Sequence, residues 1–397
     1  MSTLRLDSLE FEENDQQRKG SFDSSNSLHT DWSLSSDGVS LLHNSTGVHI
    51  THEGTKGLES DYGLGDVYVS LGDFEVNPTP LGHGRSSVVF SAIHKLSGKT
   101  VAIKDIYVGD ILHQTQLSAE IHSWRLTSYC PLLVQFLGAF IKPNKNVVCL
   151  VMEYMEFGTL SDILYKNLNR DLKNDVPKGV SERFLKFIAI QMVDGLVYLH
   201  QNNRIHRDVK LNNILINQDG AVKISDFGIS KLIDQNNAKD HNKNVSTFVG
   251  TQIYMSPERL QGKSYSFSSD IWSLGICIYE LAVGTHPFKN LSLFDMVYIL
   301  CEDNSENGET LPFLEKIIKR CPLPESLHKN TEFYAFLRGC LELDPLKRLT
   351  ATQLQGLNWL NSGTCNRLEF LNWLQSIQKQ DNTCENAEPR KGLVVQW

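Results

Sequence analysis

The sequence lacks the cysteine spacing of metal and redox sites. Its eight cysteines are scattered over 397 residues, and no two of them form a C-x-x-C pair. This absence argues against a zinc site and against a thioredoxin-type centre. We therefore expect reduced and mostly buried thiols in a cytosolic protein.

Long hydrophobic runs are also absent. The longest apolar run, from Ile271 to Gly284, is too short to cross a bilayer and contains Glu280. It predicts a buried core helix. The first residues, MSTLRLDSLEFEENDQQ, are acidic and do not form the apolar core of a secretory signal peptide. We expect an intracellular protein without a membrane span, located in the cytoplasm, with the nucleus as an alternative.

Basic residues are fewer than acidic residues in this sequence. The 38 Lys and Arg residues are outnumbered by 46 Asp and Glu residues, which gives a formal net charge of −8. This balance argues against a general nucleic-acid or membrane-surface binder. The hydrophobic content of 41% is that of an ordinary globular protein.

Residues 1–68 differ in composition from the rest of the chain. Nine serines lie between Ser21 and Ser45, and few apolar residues accompany them. Such a segment buries too little apolar surface to offset its ordering entropy, so we expect a disordered, serine-rich extension. We expect its short apolar stretch, from Val39 to His43, to dock either on a partner or on the protein itself.

Residues 69–361 have the pattern of a folded domain. Short β-rich runs between about 74 and 152 are separated by Gly, Pro and Ser, which predicts an antiparallel meander. Beyond Gly158 the periodicity becomes helical, most clearly at 181–202, where Ser181 can cap the helix. The fold class is therefore α+β, with a small β-rich N-lobe (about 74–152), a larger helical C-lobe (about 156–361) and a ligand cleft between them.

Further helices are predicted in the C-lobe and behind it. A C-terminal tail, residues 362–397, contains the sequence NRLEFLNWLQSIQ, which predicts a short amphipathic helix packed on the large lobe. The other helices are predicted at 268–284, 291–301, 332–342 and 351–361.

Two features of the N-lobe contain candidate site residues. Gly82 and Gly84 lie between two strand-like runs, where glycine lets the backbone approach a phosphate, but taken alone these glycines are better explained by an ordinary hairpin. Lys104 ends the run VAIK, and Glu120 follows sixteen residues later on the apolar stripe of a predicted helix. A carboxylate on an apolar face is costly unless it is paired, so Lys104 is its natural partner. The alternative is a solvated Glu120.

A predicted hairpin carries the strongest chemical signal. Asn213 and Asp226 flank two short apolar runs, and Asp219-Gly220 lies between the runs as a two-residue turn. Counting outward from that turn pairs residue 218 with 221, and Asn213 with Asp226. An amide and a carboxylate oxygen would then meet, as a hard ion such as Mg²⁺ requires.

Asp208 and Lys210 lie just upstream of Asn213. They place a candidate base and a cation beside the predicted metal ligands. A metal, a base, a lysine and a glycine loop together describe phosphoryl transfer from a nucleotide.

These residues, in this order and spacing, resemble the eukaryotic protein kinases over about residues 74–361. The motifs are the glycine loop LGHG, Lys104, Glu120, HRDVKLNN and DFG. The resemblance implies that Lys104 holds the ATP phosphates and pairs with Glu120. Asp208 would deprotonate the acceptor hydroxyl, Lys210 would neutralise the transferred phosphate, and Asn213 with Asp226 would bind Mg²⁺.

The resemblance also implies a set of residues around ATP and two supporting contacts. Arg348 would pair with Glu258, and Asp270 would support the catalytic loop. The residues implied to line the nucleotide are Leu81, Gly82, Gly84, Ser87, Val89, Ala102, Lys104, Met152, Glu153, Met155 and Leu215.

The stretch STFVGTQIYMSPERLQG, residues 246–262, resembles the activation segment of MAP kinase kinases, the dual-specificity activators of MAP kinases. This resemblance implies phosphorylation of Thr247 or Ser246 by an upstream MAP kinase kinase kinase, a substrate-facing Thr251, and a downstream MAP kinase as protein substrate. Two features depart from the family pattern. No hydroxyl residue lies between Ser230 and Ser246, and the N-terminal docking peptide is rudimentary.

Two alternatives remain beside a MAP kinase kinase. One is another serine/threonine kinase, such as one acting a tier higher in the same cascade. The other is a pseudokinase scaffold, which predicts the loss of a catalytic residue. Lys104, Asp208, Asn213 and Asp226 are all present, which disfavours the scaffold.

Overall fold

The structure is a computed structural model, and it describes fourteen stretches of the chain. They are residues 32–34, 40–43, 48–56, 69–83, 87–107, 130–142, 147–170, 179–226, 231–232, 252–264, 266–301, 305–306, 309–310 and 312–384.

Four short strands lie inside the N-terminal extension and form one antiparallel sheet. The prediction of disorder is therefore wrong for these strands. The argument from composition failed because the sequence alternates here: Leu41, Val48 and Ile50 fall on one face and are buried. The strands are β1 (Trp32–Leu34), β2 (Leu41–His43), β3 (His49–Thr51) and β4 (Gly54–Lys56).

The N-lobe is a five-stranded antiparallel sheet with the strand order β5-β6-β7-β9-β8. Both faces of its central strands are apolar. Successive side chains along a strand therefore point alternately into two separate clusters, one on each face of the sheet. A single turn of 3-10 helix, Leu71–Asp73, precedes it. The strands are β5 (Phe74–His83), β6 (Ser87–His94), β7 (Thr100–Tyr107), β8 (Phe136–Lys142) and β9 (Val147–Glu153).

The C-lobe is mainly helical and also contains short strands. These are β10 (Gly158–Thr159), β11 (Arg204–Ile205), β12 (Ile214–Ile216), β13 (Val222–Ile224), β14 (Lys231–Leu232), β15 (Ser305–Glu306) and β16 (Glu309–Thr310). The helices are α1 (Leu160–Arg170), α2 (Glu182–Gln201), α3 (Pro257–Leu260), α4 (Phe267–Val283), α5 (Leu293–Cys301), α6 (Phe313–Arg320), α7 (Glu325–His328), α8 (Thr331–Cys340), α9 (Ala351–Gln355), α10 (Asn358–Asn361) and α11 (Arg367–Cys384).

The main helix predictions are confirmed, with two corrections. Helix α2 follows Ser181 at the N-cap position, but the side chain of Ser181 makes no capping hydrogen bond. The apolar stripe of α2 enters the large core together with α4, which is buried on nearly all sides. The single helix predicted at 351–361 is wrong, because it is divided into α9 and α10. Leu357 has extended backbone angles, φ −71° and ψ 141°, and separates the two.

The C-terminal helix α11 packs on the large lobe, as predicted, and reaches further than the predicted segment. Phe370, Trp373 and Ile377 are buried. Trp373 stacks on Phe184 of α2, with their ring centroids 4.6 Å apart. Leu371 of α11 approaches Gly220 in the hairpin between β12 and β13 so closely that a Cβ on this glycine would lie 3.1 Å from it. Within the described stretches, no helix is both long and apolar enough to cross a membrane.

Candidate active site

The hairpin of β12 and β13 positions the proposed metal ligands, but its register differs by one residue from the prediction. Ile214 pairs with Ile224, and Ile216 pairs with Val222. The loop therefore has three central residues, with Gly220 at φ +74°. The side chain of Asn217 causes the shift: its Oδ1 accepts hydrogen bonds from the backbone N–H groups of residues 219 (3.1 Å) and 221 (2.9 Å).

The shifted register changes the neighbour of Asn213. Its carbonyl oxygen accepts a hydrogen bond from the N–H of Ser225 at 2.8 Å, so Asn213 lies opposite Ser225 rather than Asp226. The predicted direct pairing of Asn213 with Asp226 is wrong. Asp226 is the next residue after the paired position, and it has a left-handed backbone, with φ 64°. The two candidate ligands thus lie at the same end of the hairpin without forming a cross-strand pair.

The loop from His206 to Asn213 brings two predicted catalytic residues and one predicted metal ligand together. The Nδ2 of Asn213 donates to the carbonyl oxygen of Asp208 at 2.8 Å and to its Oδ2 at 2.9 Å. Lys210 Nζ lies 2.9 Å from the same Oδ2. The carboxylate of Asp208 is therefore oriented by an amide and a cation, as a base that must accept a proton at a fixed position requires.

Lys104 forms an ion pair with Asp226 across the two lobes. The lysine side chain is buried, whereas the aspartate side chain is 49% exposed. The nearby ammonium group of Lys104 is the main cause that lowers the pKa of Asp226. Glu120, the partner predicted for Lys104, lies outside the described residues.

The residues present fit a magnesium nucleotide. Carboxylate and amide oxygens from Asp226 and Asn213 are hard ligands, and Mg²⁺ takes one or two carboxylates with phosphate oxygens as further ligands. No group of three or more His, Cys, Asp and Glu side chains within the described residues could hold a metal by itself. Asp226 and Asn213 would therefore hold an ion whose other ligands are phosphate oxygens.

The N-lobe strands place the residues that are predicted to line the nucleotide in rows across the sheet. Gly82 is opposite Val89, and Val89 is opposite Lys104, so Val89 and Lys104 share one face of the sheet. Ala102 lies on this face too and is opposite Met152. The other described residues that are predicted to line the nucleotide are Leu81 in β5, Ser87 at the start of β6, Glu153 at the end of β9, Met155 just after it and Leu215 in β12.

Glu153 has partners for its carboxylate that the sequence did not reveal. Lys223 Nζ donates to both of its carboxylate oxygens, at 2.7 and 2.8 Å, and the N–H of Gln135 donates to Oε1 at 2.7 Å. The side chain is therefore committed to the hairpin and to the segment before β8. The only signal for this contact was a lysine inside the apolar run AVKI.

Buried Asp270 in α4 supports the catalytic loop. Its carboxylate accepts hydrogen bonds from the N–H groups of His206 (2.8 Å) and Arg207 (2.9 Å) and from His200 Nε2 (3.0 Å). Burial raises the pKa of Asp270, but these hydrogen bonds and the nearby histidines outweigh it and lower the pKa. Arg207 is held at φ 72°, a conformation that needs such support.

The end of the activation segment is anchored at two points. Glu258 forms a bidentate pair with Arg348, with N–O distances of 2.9 and 3.1 Å. The hydroxyl of Tyr254 donates to Glu280 of α4 at 2.5 Å, and burial raises the pKa of Glu280 to about 7. Our sequence interpretation missed the Tyr254 contact, although a glutamate inside the longest apolar run was a signal for it.

Arg259 is another residue that the sequence interpretation missed. It donates from Nη1 to the carbonyl oxygen of Arg207 at 2.9 Å and so ties the segment to the catalytic loop. Burial is the first cause that lowers its pKa, to about 10. Five predicted site residues lie outside the described residues and stay predictions: Gly84, Glu120, Ser246, Thr247 and Thr251.

Comparison with known proteins agrees with this geometry. The protein kinase domain family matches residues 76–360. The chain is 34% identical over 321 residues to mitogen-activated protein kinase kinase 1c of Physcomitrium patens, covering 77% of this chain and 84% of that protein. It is also 34% identical over 293 residues to mitogen-activated protein kinase kinase 1 of Arabidopsis thaliana, covering 73% and 74%.

A longer relative matches over part of its length. Mitogen-activated protein kinase kinase 3 of Arabidopsis thaliana is 34% identical over 299 residues, which are 75% of this chain and 52% of that protein. The chain therefore spans about half the length of this relative. The domain match and the relatives together show that the chain belongs to the protein kinase family and, within it, to the ATP-dependent MAP kinase kinases.

Proposed function

We propose that this chain transfers the γ-phosphate of ATP, with Mg²⁺, to hydroxyl residues in the activation loop of a downstream MAP kinase. The observation that supports this most directly is the arrangement of Asp208, Lys210 and Asn213 beside the Lys104–Asp226 pair. It supplies a base, a cation for the transferred group and oxygen ligands for a metal.

Each residue has a role that its contacts support. Asp208 accepts the proton of the acceptor hydroxyl, and Asn213 and Lys210 hold its carboxylate in position. In this structure Lys104 and Asp226 neutralise each other. With a magnesium nucleotide bound, Lys104 would hold the phosphates of ATP in place of Asp226, and Asp226 would hold the metal in place of Lys104. Bound Mg²⁺ would neutralise the charge of the phosphates.

The choice of substrate rests on the relatives, whose names describe kinases that act on MAP kinases. We propose the same substrate class, with phosphorylation of threonine and tyrosine in a Thr-x-Tyr loop. We also propose that an upstream MAP kinase kinase kinase switches the chain on at Thr247 or Ser246. We propose that a phosphate there, with about two negative charges, is bound by Arg207, which directly precedes Asp208.

The test uses the purified full chain, Mg²⁺ and labelled ATP. A panel of kinase-dead MAP kinases is offered beside a generic basic protein, and the phosphosites are mapped by mass spectrometry. We expect two sites in one Thr-x-Tyr loop and little labelling of the generic protein. The matched control is Asp208→Asn, which keeps the size of the side chain but removes the base.

The other results would each contradict part of the proposal. Labelling of the generic protein alone would indicate another serine/threonine kinase. A lack of transfer after treatment with an upstream kinase would favour a scaffold. Thr247→Ala and Ser246→Ala test the switch: if both variants, alone and combined, are activated like the parent, the switch lies elsewhere.

A further inference from the structure

The N-terminal strands β2 to β4, here called the N-terminal meander, cover one particular face of the N-lobe sheet. Leu41, Val48 and Ile50 of the meander form a single buried cluster with residues of the N-lobe. The N-lobe members of this cluster are Ile106, Ala139, Ile141, Val148 and Leu150. The cluster on the opposite face contains no meander residue within the described part of the chain.

The covered face is the one from which Lys104 projects. Lys104 is opposite Leu150 in β9, and Leu150 is opposite Ala139 in β8, so these three residues form a row across the sheet. Ile106 lies two residues beyond Lys104 in β7 and starts the next row on the same face. Ile106 is completely buried, and Ile50 of the meander is buried with it.

The meander also holds the end of the Lys104 row at the sheet edge. Strand β8 is an outer strand of the five-stranded sheet. The Oγ1 of Thr55 donates to the carbonyl oxygen of Ala139 at 2.8 Å and accepts from its N–H at 3.2 Å. One hydroxyl therefore satisfies both backbone groups of Ala139, which an open strand edge would leave unpaired.

We propose that the N-terminal meander is a positioning element of the nucleotide site. By filling the cluster around Ile106 and closing the sheet edge at Ala139, it fixes the strands that carry Lys104. Ile50 and Thr55 are then positioning residues, since they act on the nucleotide through Lys104 and do not touch it. The inference rests on the role of Lys104 as a phosphate ligand, which is part of the proposed function.

The experiment compares four variants of the full chain. Thr55→Val removes the hydroxyl but keeps the side-chain shape. Thr55→Ser keeps the hydroxyl and removes the methyl group. Ile50→Ala removes the cluster contact. Leu42→Ala is the matched control, because Leu42 neighbours Leu41 in β2 but is 41% exposed. The readouts are the affinity for a fluorescent ATP analogue with Mg²⁺, amide hydrogen exchange over residues 101–107, and KM for ATP against kcat.

We expect Thr55→Val to weaken nucleotide binding roughly three- to tenfold, the size of losing about one hydrogen bond. Ile50→Ala should weaken it at least as much. Both should speed exchange over residues 101–107 while leaving the amides of α4 unchanged, and KM for ATP should change more than kcat. Thr55→Ser should return toward the parent affinity, and Leu42→Ala should match the parent.

A different pattern would overturn the inference. If Thr55→Val and Ile50→Ala lower the melting temperature but bind the nucleotide as Leu42→Ala does, the meander only stabilises the fold. If Ile50→Ala does not fold, the comparison of Thr55→Val with Thr55→Ser decides. A parent chain that fails to bind the nucleotide would contradict the proposed function instead, and exchange over residues 101–107 would still test the contact between the meander and the sheet.

Discussion

Two ion pairs of this kinase join the same kinds of charge in different surroundings. The Glu258–Arg348 pair is almost completely buried, and Arg348 also donates to the carbonyl oxygens of Ser268 (2.7 Å) and Glu342 (2.9 Å). The Lys104–Asp226 pair crosses the cleft, and its aspartate is half-exposed. A pair with every donor satisfied and no access to water is a permanent support, whereas a pair open on one side can exchange its partner for a ligand.

The largest effect is expected at the exchangeable pair. Asp226→Asn removes the negative charge but keeps an acceptor for Lys104. We expect turnover to fall at least about a hundredfold, because charge stabilisation by a bound metal is worth several kcal/mol. The melting temperature should change little. Steady-state transfer assays and thermal unfolding measure both.

The control for Asp226→Asn lies in the same hairpin. Asp219→Ala removes an exposed carboxylate from the loop between β12 and β13 and should leave turnover unchanged. Turnover preserved in Asp226→Asn would show that this aspartate isn't a metal ligand. An unfolded variant would mean that the pair is a structural support like Glu258–Arg348, and the comparison between the two pairs would fail.

At the permanent pair, Glu258–Arg348, we expect a substitution to lower the stability of the fold. Arg348→Met leaves the buried carboxylate of Glu258 without its cation, which costs about 3–5 kcal/mol of unfolding free energy. Denaturant titration measures the loss. Lys347→Met is the matched control: its side chain is 74% exposed, so we expect a change below about 1 kcal/mol. Equal stability of the two variants would contradict the distinction drawn from burial.

Glu280 provides a third environment, a largely buried carboxylate whose hydrogen-bond partner is the neutral hydroxyl of Tyr254. Burial raises the pKa of Glu280 from 4.5 to about 7, so the folded state binds this proton more tightly than the unfolded state. The stabilisation is complete below about pH 4.5 and is lost as the pH rises through about 7. We expect the stability of the parent relative to Glu280→Gln to fall by up to about 3 kcal/mol over this range.

Denaturant titrations of the parent and Glu280→Gln at pH 5, 6, 7 and 8 test this expectation. The difference between the two proteins is the quantity of interest, since the remaining titrating groups are common to both. Curves that run parallel across the range would show that Glu280 titrates normally. The Tyr254 anchor would then be no more sensitive to pH than the Glu258–Arg348 pair.

The sequence predicted local patterns well where packing agrees with periodicity. The apolar stripe of α2 specifies a helix with one buried face, and the continuous apolar run of α4 specifies a helix that is buried on nearly all sides. The hairpin register was missed by one residue, since it depends on the side chain of Asn217 competing for loop N–H groups. A one-residue shift changes every cross-strand neighbour, so Asn213 acquired Ser225 as its neighbour.

Long-range partners were the least predictable part. The N-terminal strands were missed because the serine-rich composition favoured disorder, although the stretch from Val39 to His43 was expected to dock. Its Leu41, with Val48 and Ile50, packs on the Lys104 face of the N-lobe sheet. A lysine inside an apolar run indicated that Lys223 has a partner but not that the partner is Glu153, and nothing local indicated the contact of Arg259 with Arg207. Such contacts depend on how separate elements pack, which no short window of sequence contains. The Arg348–Glu258 and Asp270 contacts were anticipated only through the family resemblance.

The smallest effect is expected at Lys223–Glu153, whose burial lies between those of the two compared pairs. The lysine side chain is 8% exposed and the glutamate 20%, and the pair joins the end of β9 to β13, three residues before Asp226. We expect a coupling energy of about 1–2 kcal/mol from a double-mutant cycle with Lys223→Met and Glu153→Gln. If burial governs these pairs, this coupling falls between the cost of Arg348→Met and that of Lys347→Met. A coupling energy near zero would mean that Gln135 and water satisfy both carboxylate oxygens of Glu153 as well as Lys223 does. The end of β9 would then be held in place without the ion pair.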